Sequence, residues 1–80
     1  MNILICDDDK EIVEAISIYL KQEGYQVICA YDGQEALDIT KKQEIHLIIL
    51  DIMMPKLDGI HALLQLREKS AIPVILLSAK

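Results

Sequence analysis

The apolar positions of this chain fall into two alternating rhythms. Ile3-Leu4-Ile5-Cys6, Leu47-Ile48-Ile49-Leu50 and Val74-Ile75-Leu76-Leu77 are short apolar runs bounded by charges or turn residues. Runs of that length, rich in Ile and Leu, read as strands covered on both faces. They predict strands from Asn2 to Cys6, from His46 to Leu50 and from Val74 to Leu77, with a further strand from Gln26 to Ala30. Between them the spacing turns helical. Lys10 to Glu23 carries Ile12, Ile16, Tyr19 and Leu20 on a predicted inner stripe, with Asp9 as N-cap and Gly24 as the stop. After an Asp32-Gly33 turn, Gln34 to Lys42 predicts a short helix with Ala36, Leu37 and Thr40 inward. A loop from Pro55 to Gly59 leads into a third helix, Ile60 to Glu68, with Ile60, Leu63, Leu64 and Arg67 on one side. The order βαβαβαβ, with no linker or low-complexity stretch, predicts an α/β fold with a parallel sheet and right-handed crossovers.

Placing the acidic residues on that frame changes the picture. Asp7, Asp8 and Asp9 follow the first apolar run directly, and Asp51 follows the third. Open parallel sheets bind ligands outside the carboxyl ends of their strands. That geometry gathers Asp7, Asp8 and Asp51 in one crevice. Carboxylates so close repel unless a proton or cation intervenes, and a hard divalent ion, Mg²⁺ first, suits an all-oxygen donor set. Taken singly, the same residues have plainer readings. The aspartate triplet is a loop that caps the first helix, Asp51 a strand-ending turn residue, and Ser78 a turn or cap residue. Their joint position at the ends of two strands favours a shared site. His46 and His61 have no second ligand at metal spacing. Met53-Met54-Pro55 reads as packing followed by a turn, and Asp58-Gly59 as a structural turn.

Composition adds exclusions. At 80 residues the chain holds one small domain, and 52% hydrophobic content provides a core. A net charge of −5, from 13 acidic and 8 basic residues, argues against nucleic-acid contact by this segment. Cys6 and Cys29 sit inside apolar runs and read as small buried hydrophobes in a reducing, cytoplasmic setting. No apolar run approaches the length needed to span a membrane, and charges by residue 7 exclude a signal peptide. The last residues follow the fourth strand closely. The expectation is a shortened domain whose uncovered sheet edge favours pairing with another copy.

Four segments together carry a resemblance: Ile5-Cys6-Asp7-Asp8-Asp9, Asp32-Gly33-Gln34-Glu35-Ala36-Leu37, Leu50-Asp51-Ile52-Met53-Met54-Pro55-Lys56-Leu57-Asp58-Gly59, and Pro73-Val74-Ile75-Leu76-Leu77-Ser78-Ala79-Lys80. The chain resembles the first two thirds of the receiver domain of two-component response regulators. The Met-Met-Pro and Leu-Ser-Ala-Lys wording is similar to the branch whose full-length members are winged-helix transcription factors, vancomycin-resistance-type regulators among them. The resemblance implies a partial flavodoxin-like domain over residues 1–80, with strand order 2-1-3-4. It implies Asp51 as phosphoacceptor from a sensor histidine kinase. It further implies Mg²⁺ held by Asp7, Asp8, Asp51 and the backbone carbonyl of Met53. Ser78 and the Ala79 N–H would hydrogen-bond the phosphoryl oxygens, with the Ser78 hydroxyl as the switch. Complete receivers continue through a further helix, a fifth strand bearing a lysine, and a last helix. Lys80 follows the fourth strand and is not that lysine.

Two other functions compete. One is a half-domain that self-assembles through its bare edge without phosphotransfer, giving a homo-oligomer. The other is a phosphatase with an aspartate nucleophile. That class uses a second aspartate two positions later, where this chain has Met53, so it ranks last.

Overall fold

Each predicted strand forms, and the four lie parallel in a single sheet of order β2-β1-β3-β4. The computed structural model describes residues 1–52, 54 and 59–77. Along the chain these are β1 (Asn2–Cys6), α1 (Lys10–Gln22), β2 (Gln26–Ala30), α2 (Gly33–Lys42), β3 (Leu47–Asp51), α3 (Gly59–Arg67) and β4 (Val74–Leu77). The third strand starts and ends one residue later than the predicted His46 to Leu50, so Asp51 is its last residue.

Side chains alternate across a strand, and the two faces of β1 supply two cores. Ile3 and Ile5 pack with Val13, Ile16 and Leu20 of α1. Leu4 and Cys6 point the other way, into a cluster with Ala36 and Leu37 of α2 and Leu66 of α3. The result is three layers, with α1 on one side of the sheet and α2 and α3 on the other. The four residues Ile3, Leu4, Ile5 and Cys6 are almost wholly removed from water, which explains the unbroken apolar character of the run.

Helix α1 is capped as predicted. The Asp9 carboxylate accepts from the N–H groups of Glu11 and Ile12, at 3.0 and 3.4 Å. At the other end Gly24 adopts φ 93°, a conformation that side chains resist, while its N–H donates to the Lys21 carbonyl. The inner stripe differs from the predicted one. It runs through Val13, Ile16, Ser17 and Leu20, with Ile12 half-buried, and Tyr19 is 63% exposed. Tyr19 lies beside this i, i+3, i+4, i+7 stripe rather than on it.

Helix α3 shows a larger correction. Its buried residues are Gly59, Ala62 and Leu66, with Leu63 half-buried, while Ile60, Leu64 and Arg67 are exposed. The predicted face is one residue out of phase, and of its members only Leu63 packs inward. Apolar residues occur on nearly every side of this helix, so their spacing does not set its rotation. The small residues Gly59 and Ala62 do, because they let the helix approach the sheet closely. Leu66→Ala is therefore expected to cost about 2–4 kcal/mol in urea unfolding, through the cavity it leaves. Leu64→Ala should stay within about 0.5 kcal/mol of the parent. The reverse ranking would restore the predicted face.

Candidate functional site

Strand register brings the acidic residues together. Cys6 of β1 pairs with Leu50 of β3, so the next residues, Asp7 and Asp51, leave the sheet side by side. The Asp7 N–H donates to the Ala30 carbonyl at 3.2 Å, which prolongs the β1–β2 ladder by one bond. Asp7 is 2% exposed and Asp51 4%, whereas Asp8 is open to solvent. One carboxylate oxygen from each of Asp7, Asp8 and Asp51 lies within 4.8 Å of the others. The crevice expected from the strand ends is thus present, with two buried walls and one exposed rim.

This grouping is electrostatically unfavourable by itself. Burial pushes the Asp7 carboxyl above the usual carboxylate range. The N–H of Asp9, donating at 2.9 Å, opposes that shift, while the charge of Asp51 and hydrogen bonds with Asp51 and Asp8 add to it. Beneath the crevice the Cys6 thiol is pushed up to about 12, first by burial and then by Asp32, Asp7, Glu35 and Asp51. Cys6 is therefore a protonated, unreactive thiol at neutral pH. Its sulfur donates to the Asp32 carbonyl at 3.3 Å and lies 3.6 Å from the Met54 sulfur. Neither cysteine is in a disulfide; Cys6 is buried as predicted, and Cys29 only half so.

The surrounding supports were only partly visible in the sequence. Asp32 is more than a turn residue: its carboxylate accepts from the Glu35 N–H at 2.8 Å and caps α2. Glu35 in turn accepts from the Tyr31 N–H at 2.7 Å, one residue before the cap, so its side chain folds back over the start of α2. An aspartate followed three residues later by glutamate, ahead of Ala36-Leu37, was the available signal. Met54 is buried against Cys6. Lys10 holds its ammonium 5.7 Å from the Tyr31 ring centre. At the opposite end of the sheet, His46 accepts from the Asn2 N–H through Nδ1 at 2.9 Å, so it fastens β1 rather than serving the acidic group. Met53, Ser78 and Ala79, the other expected site residues, lie outside the described residues.

The donor set fits a hard divalent cation. Three carboxylates converge, all donors are oxygen, and two of the three groups are shielded from water, so a bound cation would relieve the repulsion that the fold imposes. Among the described residues no histidine or cysteine joins this group.

Residues 3–80 match the family model of the response regulator receiver domain. The chain belongs to this family. It is 49% identical over 79 residues to response regulator RR06 of Streptococcus pneumoniae, covering 99% of this chain and 36% of that protein. It thus spans about a third of the length of that curated relative. Among solved structures, the receiver domain of the Francisella response regulator 1452 superposes with a TM-score of 0.92 at 40% identity, covering 98% of this chain and 65% of that one. The response regulator protein TrrA of Thermotoga maritima, in complex with Mg²⁺-BeF, has a TM-score of 0.92 at 36% identity, with coverages of 99% and 70%. The strand order 2-1-3-4 predicted from the resemblance is the one observed. Receiver domains are signalling domains of two-component systems; they typically receive their phosphoryl group from histidine kinases and bind Mg²⁺ at an acidic pocket. Among the described residues of this receiver domain, no helix is long and apolar enough to cross a membrane.

Two outcomes are expected of this acidic site. Because the Asp7 carboxyl titrates higher in the fold than in the unfolded chain, its contribution to stability is fully present below the ordinary carboxylate pKa. That contribution is lost as pH rises through the folded value. Asp7→Asn cannot ionise, so in Mg²⁺-free urea titrations its stability relative to the parent should rise from acid to neutral pH. A pH-independent difference would contradict the assignment. In the native state Cys6 should resist iodoacetamide at pH 8 and react only on unfolding, as peptide mapping would show.

Proposed function

We propose that this chain is the phosphoacceptor module of a two-component response regulator and that Asp51 carries the phosphoryl group. The observation that carries this reading is the buried Asp51 at the end of a central strand, beside Asp7 and Asp8. An Asp51 carboxylate oxygen attacks the phosphorus of a kinase phosphohistidine in line. An O–P bond forms, the P–N bond breaks, and the electron pair leaves with the imidazole. The product is an acyl phosphate on Asp51. A carboxylate is a weak nucleophile toward an anionic phosphoryl group, so rate depends on positioning and on charge neutralisation. The sheet register positions Asp51, and Asp7 and Asp8 would hold Mg²⁺ with it, together with the Met53 carbonyl. When bound, Mg²⁺ supplies the positive charge that offsets the carboxylates and the phosphoryl oxygens. The Mg²⁺-BeF complex of the Thermotoga relative supports extending this ligand chemistry to the present chain.

The Ser78 hydroxyl and the Ala79 N–H would accompany the phosphoryl oxygens from the end of β4, with Ser78 moving inward only after phosphorylation. Residues 1–80 serve as a partial receiver, built from the first four strands and three helices. In a longer cytoplasmic protein the module would control transcription through a winged-helix domain, without contacting nucleic acid itself. The module would catalyse transfer to its own aspartate alone, so it acts as a phosphoacceptor signalling domain rather than as an enzyme on other molecules.

A second reading, self-association of this chain through the sheet edge, is favoured by one observation. Among the described residues β4 lies at the edge of the sheet, and it exposes Ile75 and Leu76, at 50% and 45%. Light scattering at micromolar concentration distinguishes the two readings, and a clean monomer excludes the second.

Intact mass after incubation with acetyl phosphate and Mg²⁺ tests the first. The parent is expected to gain one phosphoryl group and Asp51→Asn none, with an unchanged fold by circular dichroism. Phosphorylation persisting in Asp51→Asn would identify another nucleophile. Asp8→Ala should weaken Mg²⁺ binding by about tenfold or more in calorimetric titration. Unchanged affinity would place the metal elsewhere.

A further inference from the structure

The geometry points to Gly59, the first residue of α3, as a positioning residue for the acidic site. This inference rests on the phosphoacceptor reading and extends it to a residue that touches neither metal nor phosphoryl group. Gly59 is buried, and no side chain fits at its position. A Cβ there would overlap the backbone carbonyl oxygen of Asp51 and the Cα of Ile52, and would lie 2.8 Å from the Asp51 carbonyl carbon. Each obstructing atom is backbone, so none can swing aside as a side chain end would. α3 therefore rests directly on the peptide that joins Asp51 to Ile52.

That peptide is held from other directions as well. Asp51 pairs with Leu77 of β4, and the Ile52 N–H donates to the Leu77 carbonyl at 3.3 Å. Leu50, just before it, pairs with Cys6 of β1. Further on, Met54 is fastened to Cys6 by its sulfur contact. Neighbouring strands fix the strand end within the sheet, and Gly59 fixes how closely α3 approaches it. A side chain at position 59 must either lift α3 or displace the backbone that carries the Asp51 carboxylate. Displacement would alter the spacing of Asp51 from Asp7 and Asp8. Sites that rely on preorganised ligands lose function on small shifts of this kind. Gly59 thus does more than the structural turn expected from the sequence, since it sets the contact between α3 and the end of β3.

The test compares Gly59→Ala with Leu66→Ala, which loosens the same helix from its core face without approaching Asp51. Amide chemical shifts of the metal-free proteins report the position of the strand end, and calorimetric titration with Mg²⁺ alone reports the consequence. Gly59→Ala is expected to remain folded and to show its largest shift changes at Asp7, Asp51 and Ile52. Its Mg²⁺ affinity should fall about tenfold, while Leu66→Ala, although less stable, keeps its affinity within about twofold of the parent. Parent-like shifts and affinity in Gly59→Ala would overturn the inference. An equal loss of affinity in Leu66→Ala would do so too. A Gly59→Ala chain that does not fold would assign Gly59 to general stability and also overturn the positioning role. If the parent itself fails to bind Mg²⁺, the functional reading fails, and the metal-free shifts at Asp7 and Asp51 still decide the role of Gly59.

Discussion

Asp7, Asp8 and Asp51 are held closer than three carboxylates would choose, and the fold's remaining features supply what holds them there. Two of the three are nearly sealed from water, where repulsion is screened least. The cost falls on Asp7, whose carboxyl is driven toward its protonated form by burial and by its acidic neighbours. A crevice of this kind stores affinity for a divalent cation. Folding meets the work of bringing the charges together, and a cation that binds there recovers it.

What resists the repulsion is the parallel sheet. Cys6 and Leu50 are paired central residues, and each is buried among apolar side chains on the α2–α3 side. Neither strand end can retreat without breaking both the ladder and this core. Caps add to the stiffness. Asp9 fixes the start of α1 immediately after the acidic pair, and Asp32 with Glu35 fixes the start of α2 beside Cys6. The same protein therefore uses aspartates in two opposite roles. Some relieve unsatisfied N–H groups at helix starts, and others are left crowded where a cation can serve them.

The strands and the acidic crevice were legible in the sequence because both depend on short-range pattern. An apolar run followed by aspartate marks a strand end, and a parallel sheet must align such ends. Asp7, Asp8 and Asp51 were found on that basis. Strand order was not readable from pattern; it came from the family resemblance. Helix rotation was the weak point. In α1 the buried stripe includes Ser17, a polar residue that hydrophobic spacing passes over, and Tyr19 drew the predicted stripe away from Val13. In α3 the inward residues Gly59 and Ala62 carry little or no apolar surface. Close approach, rather than hydrophobicity, chose that face, and a spacing argument cannot weigh it. The contact of Met54 with Cys6 joins residues 48 apart in the chain and had no local signal.

This fold holds a repelling carboxylate cluster, and a bound divalent cation would relieve the repulsion. Urea unfolding of the parent and of Asp51→Asn, each with excess Mg²⁺ and with a chelator, tests it most directly. Mg²⁺ is expected to stabilise the parent, by about 2.7 kcal/mol at a concentration a hundredfold above its dissociation constant. The effect should largely disappear in Asp51→Asn. Equal Mg²⁺ stabilisation of both proteins, or none in the parent, would contradict it.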